Sequence, residues 1–308
     1  MDKLPVSLEH MRTFVRIAER GSLSAVAREL NVGQSTVSRH LQELEEAVGV
    51  PLLSRTTRRV TLTDEGSRYH ANCVQILRLV EQAGDEARAT RSAAAGTVRL
   101  SCTAAFGILH VTRLIFAFQD RHPEIAVDLS LTDERIDLVR EGVDIALRLA
   151  PLADSAMKLR ALGHSHRILV ASPDYLARHG APATPEALAG HEAIRMSNVA
   201  GSEMLSVQAP DGTRHQVPFV GRFRANHGLA VREAVLAGRG IAASHHWLVD
   251  DLVSSGRLVP LLPGYTLRSV PLSMLIVPER AGIVRVRLLI DDLVAQIGRL
   301  PGITPHAT

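Results

Sequence analysis

The sequence predicts three stretches of different kind: a mainly α winged helix-turn-helix over residues 1–62, one long linker helix with a hinge over 63–95, and a two-lobed α/β domain over 96–308. Three observations carry this. Apolar residues recur at helical spacing in short runs that stop at Gly21, Asn31 and Gly49. Residues 63–92 contain no proline and glycine only at positions 66 and 84. From residue 97 onward, short β-rich runs alternate with helical ones.

In the first stretch, Leu8, Met11, Phe14, Val15 and Ala18 line one helix face. Ser22 or Ser24 suits the cap of a second helix, Ala25 to Leu30. A third helix begins at Gln34 and carries Val37, Leu41, Leu44 and Val48 on one side, while Gln34, Ser35, Ser38, Arg39 and Gln42 share another arc. Leu52-Leu53 and Val60-Thr61-Leu62 flank a basic tip with Arg55, Arg58 and Arg59, as a small wing would.

In the second stretch, Thr63 suits an N-cap, with Asp64 and Glu65 at the positive end of the dipole. Tyr69, Cys73, Ile76, Val80, Ala83 and Ala87 alternate four and three apart, a heptad seam that calls for a partner. Packing on the chain's own domains and pairing with a symmetry mate both satisfy it. Small residues at 91–96 read as a hinge.

In the third stretch, strands are expected at 98–102, 125–131 and 144–148, with helices at 109–121 and 133–141 between them, forming a parallel βαβαβ group. A second group has strands at 167–171, 219–224 and 240–243. The strand 272–277 and the helix 284–299 are spare to that group and can return to complete the first. The lobes are therefore expected at about 97–165 with 270–300, and at about 166–269. A ligand cleft would lie between them, at the carboxyl ends of the strands.

Composition narrows the function classes. The chain has 308 residues, 46% hydrophobic and only 3% aromatic, so its cores are aliphatic. Its start, MDKLPVSLEHMRTFVRIAER, has charges every few residues and no apolar core of a signal peptide. Apolar stretches such as Met274 to Val277 are far short of the ~18 residues of a membrane span. Two cysteines, Cys73 and Cys102, fit a reducing compartment, so a cytoplasmic protein is expected. The formal charge of +3 leans basic, yet residues 1–65 hold nine Lys/Arg and nine Asp/Glu. Any nucleic-acid binding must therefore come from where the charges sit.

The helices 25–30 and 34–44, three residues apart, suit a helix-turn-helix whose second member enters the major groove of double-stranded DNA. Gln34, Ser35, Thr36, Ser38, Arg39 and Gln42 are the candidate readers: Gln pairs with adenine, Arg with guanine or phosphate, Ser with either kind of acceptor. Arg55, Arg58 and Arg59 would neutralise phosphates or enter the minor groove. From pattern alone, an ordinary helical hairpin with a solvated polar face fits as well.

Ordered matches over one continuous segment decide between these. Residues 8–66 resemble the N-terminal domain of LysR-type transcriptional regulators: Met-Arg-Thr-Phe-Val at 11–15, Gly21-Ser22-Leu23-Ser24-Ala25-Val26-Ala27, Leu30, Gln34-Ser35-Thr36-Val37-Ser38, Leu44-Glu45, Gly49-Val50-Pro51-Leu52-Leu53, Arg55-Thr56-Thr57-Arg58, and Leu62-Thr63-Asp64-Glu65-Gly66. Gly33 departs from the family, which usually has a polar cap such as Ser there. More loosely, Phe106-Gly107, His122-Pro123-Glu124, Asp137-Leu138-Val139, Gly142-Val143-Asp144-Ile145-Ala146-Leu147-Arg148 and Ala237-Gly238-Arg239-Gly240-Ile241-Ala242 resemble the family's effector domain, which is of periplasmic-binding-protein type.

The resemblance implies a transcription regulator that binds a small-molecule effector, often an organic anion, between its lobes. It implies a homodimer, usually assembled further into a homotetramer, with RNA polymerase as a possible further partner. It also assigns the seam of the long helix to dimerisation.

Thr103 and Ala104 precede an expected helix N-terminus, where free N–H groups favour an anion. Arg148 ends the third strand and matches a cleft arginine of some relatives. Thr132 and Asn226 are similarly placed past strand ends. For each of these five, structural capping fits as well as effector contact.

Other signals are weak. Gly238-Arg239-Gly240 with its following residues nearly matches a dinucleotide fingerprint but lies between a helix and a strand, the wrong order, so no cofactor is expected. His164/His166 and His245-His246 lack metal-ligand spacing, and no metal is expected. There is no Gly-x-Ser-x-Gly elbow, and no catalytic constellation supports an enzyme. Cys102 reads as a core thiol rather than a redox switch.

Overall fold

The computed structural model describes residues 6–55, 60–88, 94–150 and 157–306. The chain divides into two compact units, residues 1–95 with 136–143, and residues 96–135 with 144–308.

In the first unit, α1 (Leu8–Arg20) is capped by Ser7, whose Oγ accepts from the His10 amide at 3.1 Å, and ends at Gly21 with φ +63°. Ser22 rather than Ser24 caps α2 (Leu23–Glu29), which therefore starts two residues earlier than expected. The recognition-type helix α3 (Gln34–Val48) stops at Gly49, and β1 (Leu53–Arg55) pairs antiparallel with β2 (Val60–Leu62) as a wing. Phe14, Ile17, Val26, Val37, Leu41, Leu44 and Leu52 are fully buried together. Each contributes about 1.5–3 kcal/mol of hydrophobic stabilisation.

Thr63 Oγ1 accepts from the Gly66 amide at 2.8 Å and opens α4 (Asp64–Arg88). Gly66 has a packing reason: a Cβ there would lie 1.9 Å from the Leu52 carbonyl oxygen. The structure corrects part of the seam. Cys73 is fully buried in the core of the helix-turn-helix, and Tyr69 packs against that core with its ring 6.0 Å from Phe14. The same helix stripe continues outward, because at about 1.5 Å per residue Val80 lies roughly 10 Å further along than Cys73. There Ile76, Leu79 and Val80 are 37%, 52% and 45% exposed.

The second unit begins with β3 (Gly96–Cys102), followed by α5 (Ala104–Phe106), which runs through a π turn at Gly107–Val111 into α6 (Thr112–Arg121). Then come β4 (Ile125–Leu131), β5 (Ile145–Leu149) and β6 (Lys158–Ser165). The chain crosses at His166 to β7 (Arg167–Ala171), α7 (Pro173–His179), β8 (Ala193–Met196), β9 (Met204–Gln208), β10 (Arg214–Pro218), β11 (Phe223–Ala225) and α8 (Gly228–Leu236). It continues with β12 (Ile241–His245), α9 (His246–Ser254), β13 (Val259–Leu261) and β14 (Thr266–Leu267). It then returns as β15 (Val270–Ile276), α10 (Val284–Ile297) and β16 (Ile303–Pro305).

One lobe is built on a six-stranded sheet, β16-β6-β15-β5-β3-β4, and the other on a five-stranded sheet, β11-β8-β12-β7-β13, with a three-stranded sheet β10-β9-β14 beside it. The spare strand at 270–276 indeed completes the first sheet, between β5 and β6. That sheet is mixed rather than parallel, since β15 runs antiparallel to both neighbours.

Two further elements differ from expectation. Residues 133–141 form turns, not a helix. Their acidic side chains bond local or neighbouring amides instead: Asp137 Oδ1 accepts from Val139 and Arg140 at 3.1 Å each, and Asp133 Oδ1 accepts from Ala104. Such side-chain bonds compete with helical ones. The strand expected at 219–224 starts only at Phe223, because Gly221 is pressed against the Ala193 backbone, where a Cβ would come within 2.1 Å of the carbonyl oxygen.

Candidate DNA-reading helix and effector cleft

Helix α3 presents two faces. Val37, His40, Leu41 and Leu44 are buried, whereas Gln34, Ser35, Arg39 and Gln42 are exposed, with Thr36 and Ser38 half-buried between them. Gly33 occupies the N-cap with no side-chain bond, and a Cβ there would meet Ser35 Oγ only at 3.4 Å. The first-turn amides thus carry no cap from this residue, an arrangement suited to a phosphate.

Downstream carboxylates hold two of the candidate readers. Arg39 Nε lies 3.8 Å from Glu43 Oε1, and Gln42 Nε2 donates to Glu46 Oε1 at 2.9 Å. Glu45, part of the family-like Leu44-Glu45 match, has a separate task. Its Oε1 accepts from the Leu52 and Leu53 amides at 2.7 and 3.1 Å, tying the start of the wing to α3. Arg55 ends β1, while Arg58 and Arg59 lie outside the described residues, as do the side chains of Arg55 and Ala87.

In the second unit, β4, β3 and β5 are adjacent and parallel, with Cys102 opposite Leu131 on one side and Leu147 on the other. Thr103, Thr132 and Arg148 therefore sit together at the carboxyl ends of three neighbouring strands. Arg148 Nη2 donates to Ser101 Oγ at 2.8 Å and Nη1 to the Leu147 carbonyl at 3.1 Å. Burial holds its pKa below the usual arginine value. Thr103 Oγ1 is buried beside the Cys102 thiol and bonds no nitrogen or oxygen of the described residues. Burial pushes that thiol up to about 12, which leaves it protonated and inert.

One expectation is corrected here. The Ala104 amide is not free for an incoming anion, because the chain supplies its own: Asp133 Oδ1 accepts from it at 3.1 Å. Thr132 Oγ1 is likewise engaged, by the Glu134 amide at 3.1 Å.

Across the cleft, exposed Asn226 follows β11 and its carbonyl accepts from Asn198 Nδ2 at 3.4 Å. Helix α8 starts two residues later, and a Cβ on Gly228 would lie 3.4 Å from the Ala105 Cβ. The N-termini of α5 and α8 thus approach one another from opposite lobes. An aromatic and histidine cluster, whose role sequence reasoning did not anticipate although it singled out His245-His246, joins the lobes nearby. The Trp247 ring meets Phe106 edge-on at 5.0 Å, and its indole N–H donates to Ser165 Oγ at 2.9 Å. Ser165 Oγ also bonds His245 Nδ1 at 2.7 Å, and His110 Nε2 lies 2.9 Å from the Trp247 carbonyl. Phe106-Gly107, His245-His246 and the lone Trp were the local signals, and the bonds that join them span 80 residues or more.

The fingerprint-like glycines have structural reasons. Gly238 follows α8 with φ +67°, and a Cβ on Gly240 would fall 2.2 Å from the Glu192 carbonyl oxygen. No helix among the described residues is long and apolar enough to cross a membrane.

Comparison with known proteins agrees with both halves. Residues 8–67 match the family of bacterial regulatory helix-turn-helix proteins of the lysR family, and residues 91–298 match the LysR substrate binding domain. The HTH-type transcriptional regulator CrgA of Neisseria meningitidis serogroup C is 34% identical over 291 residues, 94% of this chain and 97% of its own. DmlR of Escherichia coli K12, also an HTH-type transcriptional regulator, is 34% identical over 269 residues, 86% of each chain. Among solved structures, the full-length Vibrio cholerae virulence activator AphB superposes with a TM-score of 0.66 at 26% identity, covering 94% of this chain and 99% of its own. These relatives are regulators, not enzymes. A helix-turn-helix with an outward polar arc, joined to a two-lobed α/β domain and matched along nearly its whole length, places the chain in the LysR-type family of DNA-binding, effector-responsive transcriptional regulators.

Proposed function

We propose that this regulator works in the cytoplasm as a homodimer, assembled further into a homotetramer, that reads an operator with α3 and answers to a small organic acid held between its lobes. The observation that supports the DNA-reading residues is the division of α3: Val37, Leu41 and Leu44 are buried, which leaves Gln34, Ser35, Arg39 and Gln42 facing out. Thr36 and Ser38 flank that arc, and Arg55, Arg58 and Arg59 of the wing supply phosphate contacts. For dimerisation, the exposed residues Ile76, Leu79, Val80 and Ala83 of α4 offer the surface; Ala87, which lies outside the described side chains, extends the same heptad seam in the sequence.

For the effector, the approach of two helix N-termini beside Arg148 favours a carboxylate. Arg148 and the buried Thr103 hydroxyl meet the acid, while Asp133 must give way at the Ala104 amide. Thr132 and Asn226 border the same space.

Sequencing of DNA that co-precipitates with the protein from its host tests this reading. Enrichment at a few discrete promoters with a shared two-fold motif is expected. Uniform recovery of genomic DNA would contradict it.

A further inference from the structure

Away from the inter-lobe cleft, the second lobe contains a cavity of about 180 Å³ between β7, β13, β14 and β9. Leu169, Val207, Leu262, Tyr265 and Leu267 form apolar walls, and exposed Pro263 borders it. Arg167 is the one charged residue that lines it. The only side-chain hydrogen bond it makes among the described residues runs from Nη2 to the Ala243 carbonyl oxygen at 3.1 Å. A guanidinium carries five N–H donors, and one neutral acceptor leaves it far from satisfied.

No carboxylate of the described residues offsets that charge. Burial alone holds the Arg167 pKa below the usual arginine value. Its cross-strand neighbour His245 is kept neutral by burial and by Arg167 itself, and its Nδ1 is already bonded to Ser165. One wall is also strained: Leu262 is held at φ +52°, a left-handed backbone that bulky residues rarely adopt and that tends to mark ligand sites. A purely structural arginine, tying β7 to β12, would not need an open apolar volume beside it.

We propose that this cavity is a second ligand site, distinct from the inter-lobe cleft, that takes a small monocarboxylic acid with an apolar body. The carboxylate pairs with Arg167, and a phenyl-sized body fills the space between the two sheets of the lobe. The volume suits this: an apolar cavity of about 150 Å³ accommodates benzene. A neutral molecule of equal size leaves the partly buried guanidinium unpaired and is rejected.

Crystals of the full-length protein soaked in 4-bromobenzoate test the proposal through the anomalous signal of bromine, which needs no variant. A peak is expected between β7 and β14 with the carboxylate on Arg167, and it persists in Arg148→Ala, so failure of the inter-lobe reading leaves this one intact. In calorimetry with benzoate, Arg167→Gln weakens binding at this site about tenfold or more, and benzamide does not bind. Bromine confined to the inter-lobe cleft, no bromine in the crystal at all, or benzamide binding as tightly as benzoate would each overturn it.

Discussion

Arg39 stands on the exposed arc of α3 with Glu43 as its nearest partner, 3.8 Å away. An exposed pair of this kind is worth well under about 1 kcal/mol, so DNA can take the arginine over at little cost. If Arg39 reads a base, Arg39→Ala costs about 1–3 kcal/mol on the operator and much less on random DNA. Equal losses in filter-binding titrations on the two DNAs would put it on the backbone instead. Arg148 and Asp133 make a second pair of opposed predictions. Arg148→Ala removes a charge-assisted contact and should weaken binding of the effector acid by about 1.5–3 kcal/mol. Asp133→Asn keeps an acceptor for the Ala104 amide but drops the competing charge, so the same acid should bind more tightly. Calorimetry with acids retrieved from a screen measures both, and weaker binding to Asp133→Asn would contradict an anionic effector. Nothing at the level of sequence pointed to Asp133, because its partner Ala104 is 29 residues away and its neighbours read as helical.

Among the elements, those with local punctuation were legible. Gly21 ends α1 and Gly49 ends α3, as read from the sequence. The strand β4 falls on its expected limits, since Ile125–Leu131 is β-rich, alternates apolar and polar residues from Val127, and lies between Pro123 and Thr132. The strand β6 was missed because its alternation stops after Ala161, at Leu162-Gly163, and it depends on β15 and β16 for its pairing. Helix α4 was legible as a helix but not as two surfaces: nothing local reports that Tyr69 and Cys73 lie on the core beside Phe14 while Ile76, Leu79 and Val80 are exposed. That division sharpens the dimer prediction. Ile76→Asp would bury a charge against its symmetry mate at a cost of several kcal/mol and should yield monomers whose unfolding midpoint is otherwise normal. Sedimentation of that variant as the wild-type assembly would remove α4 from the interface.

The junction of β6, β12 and α9 carries a pH dependence. Burial, aided by the nearby Arg167 charge, lowers His245 from 6.5 to about 3, so it is neutral in the fold and protonated in the unfolded chain below its ordinary value. The stability this confers is fully present above pH 6.5 and is lost progressively as the pH falls from 6.5 toward 3. His110 and His191 are lowered by burial as well and act in the same direction. The thermal midpoint of the α/β unit should therefore fall through that range, and His245→Gln should flatten the decline. An unchanged slope in that variant would show that His245 is not the group responsible.

For the whole molecule, the division of labour was legible from the order of elements: short capped helices, a long helix, then alternating strands and helices. What stayed hidden were contacts between distant segments, such as Trp247 on Phe106 and Arg167 beside the apolar cavity between the sheets. The central claim is that occupancy of the lobes governs how the helix-turn-helix engages DNA. The most direct measurement is the affinity and footprint of the full-length protein on its operator, with and without the effector acid at saturation. A coupling of about 1–3 kcal/mol is expected, read as a roughly 5–150-fold change in affinity or a change in the protected length. The same affinity and the same footprint in both conditions, with calorimetry showing the acid bound, would contradict it.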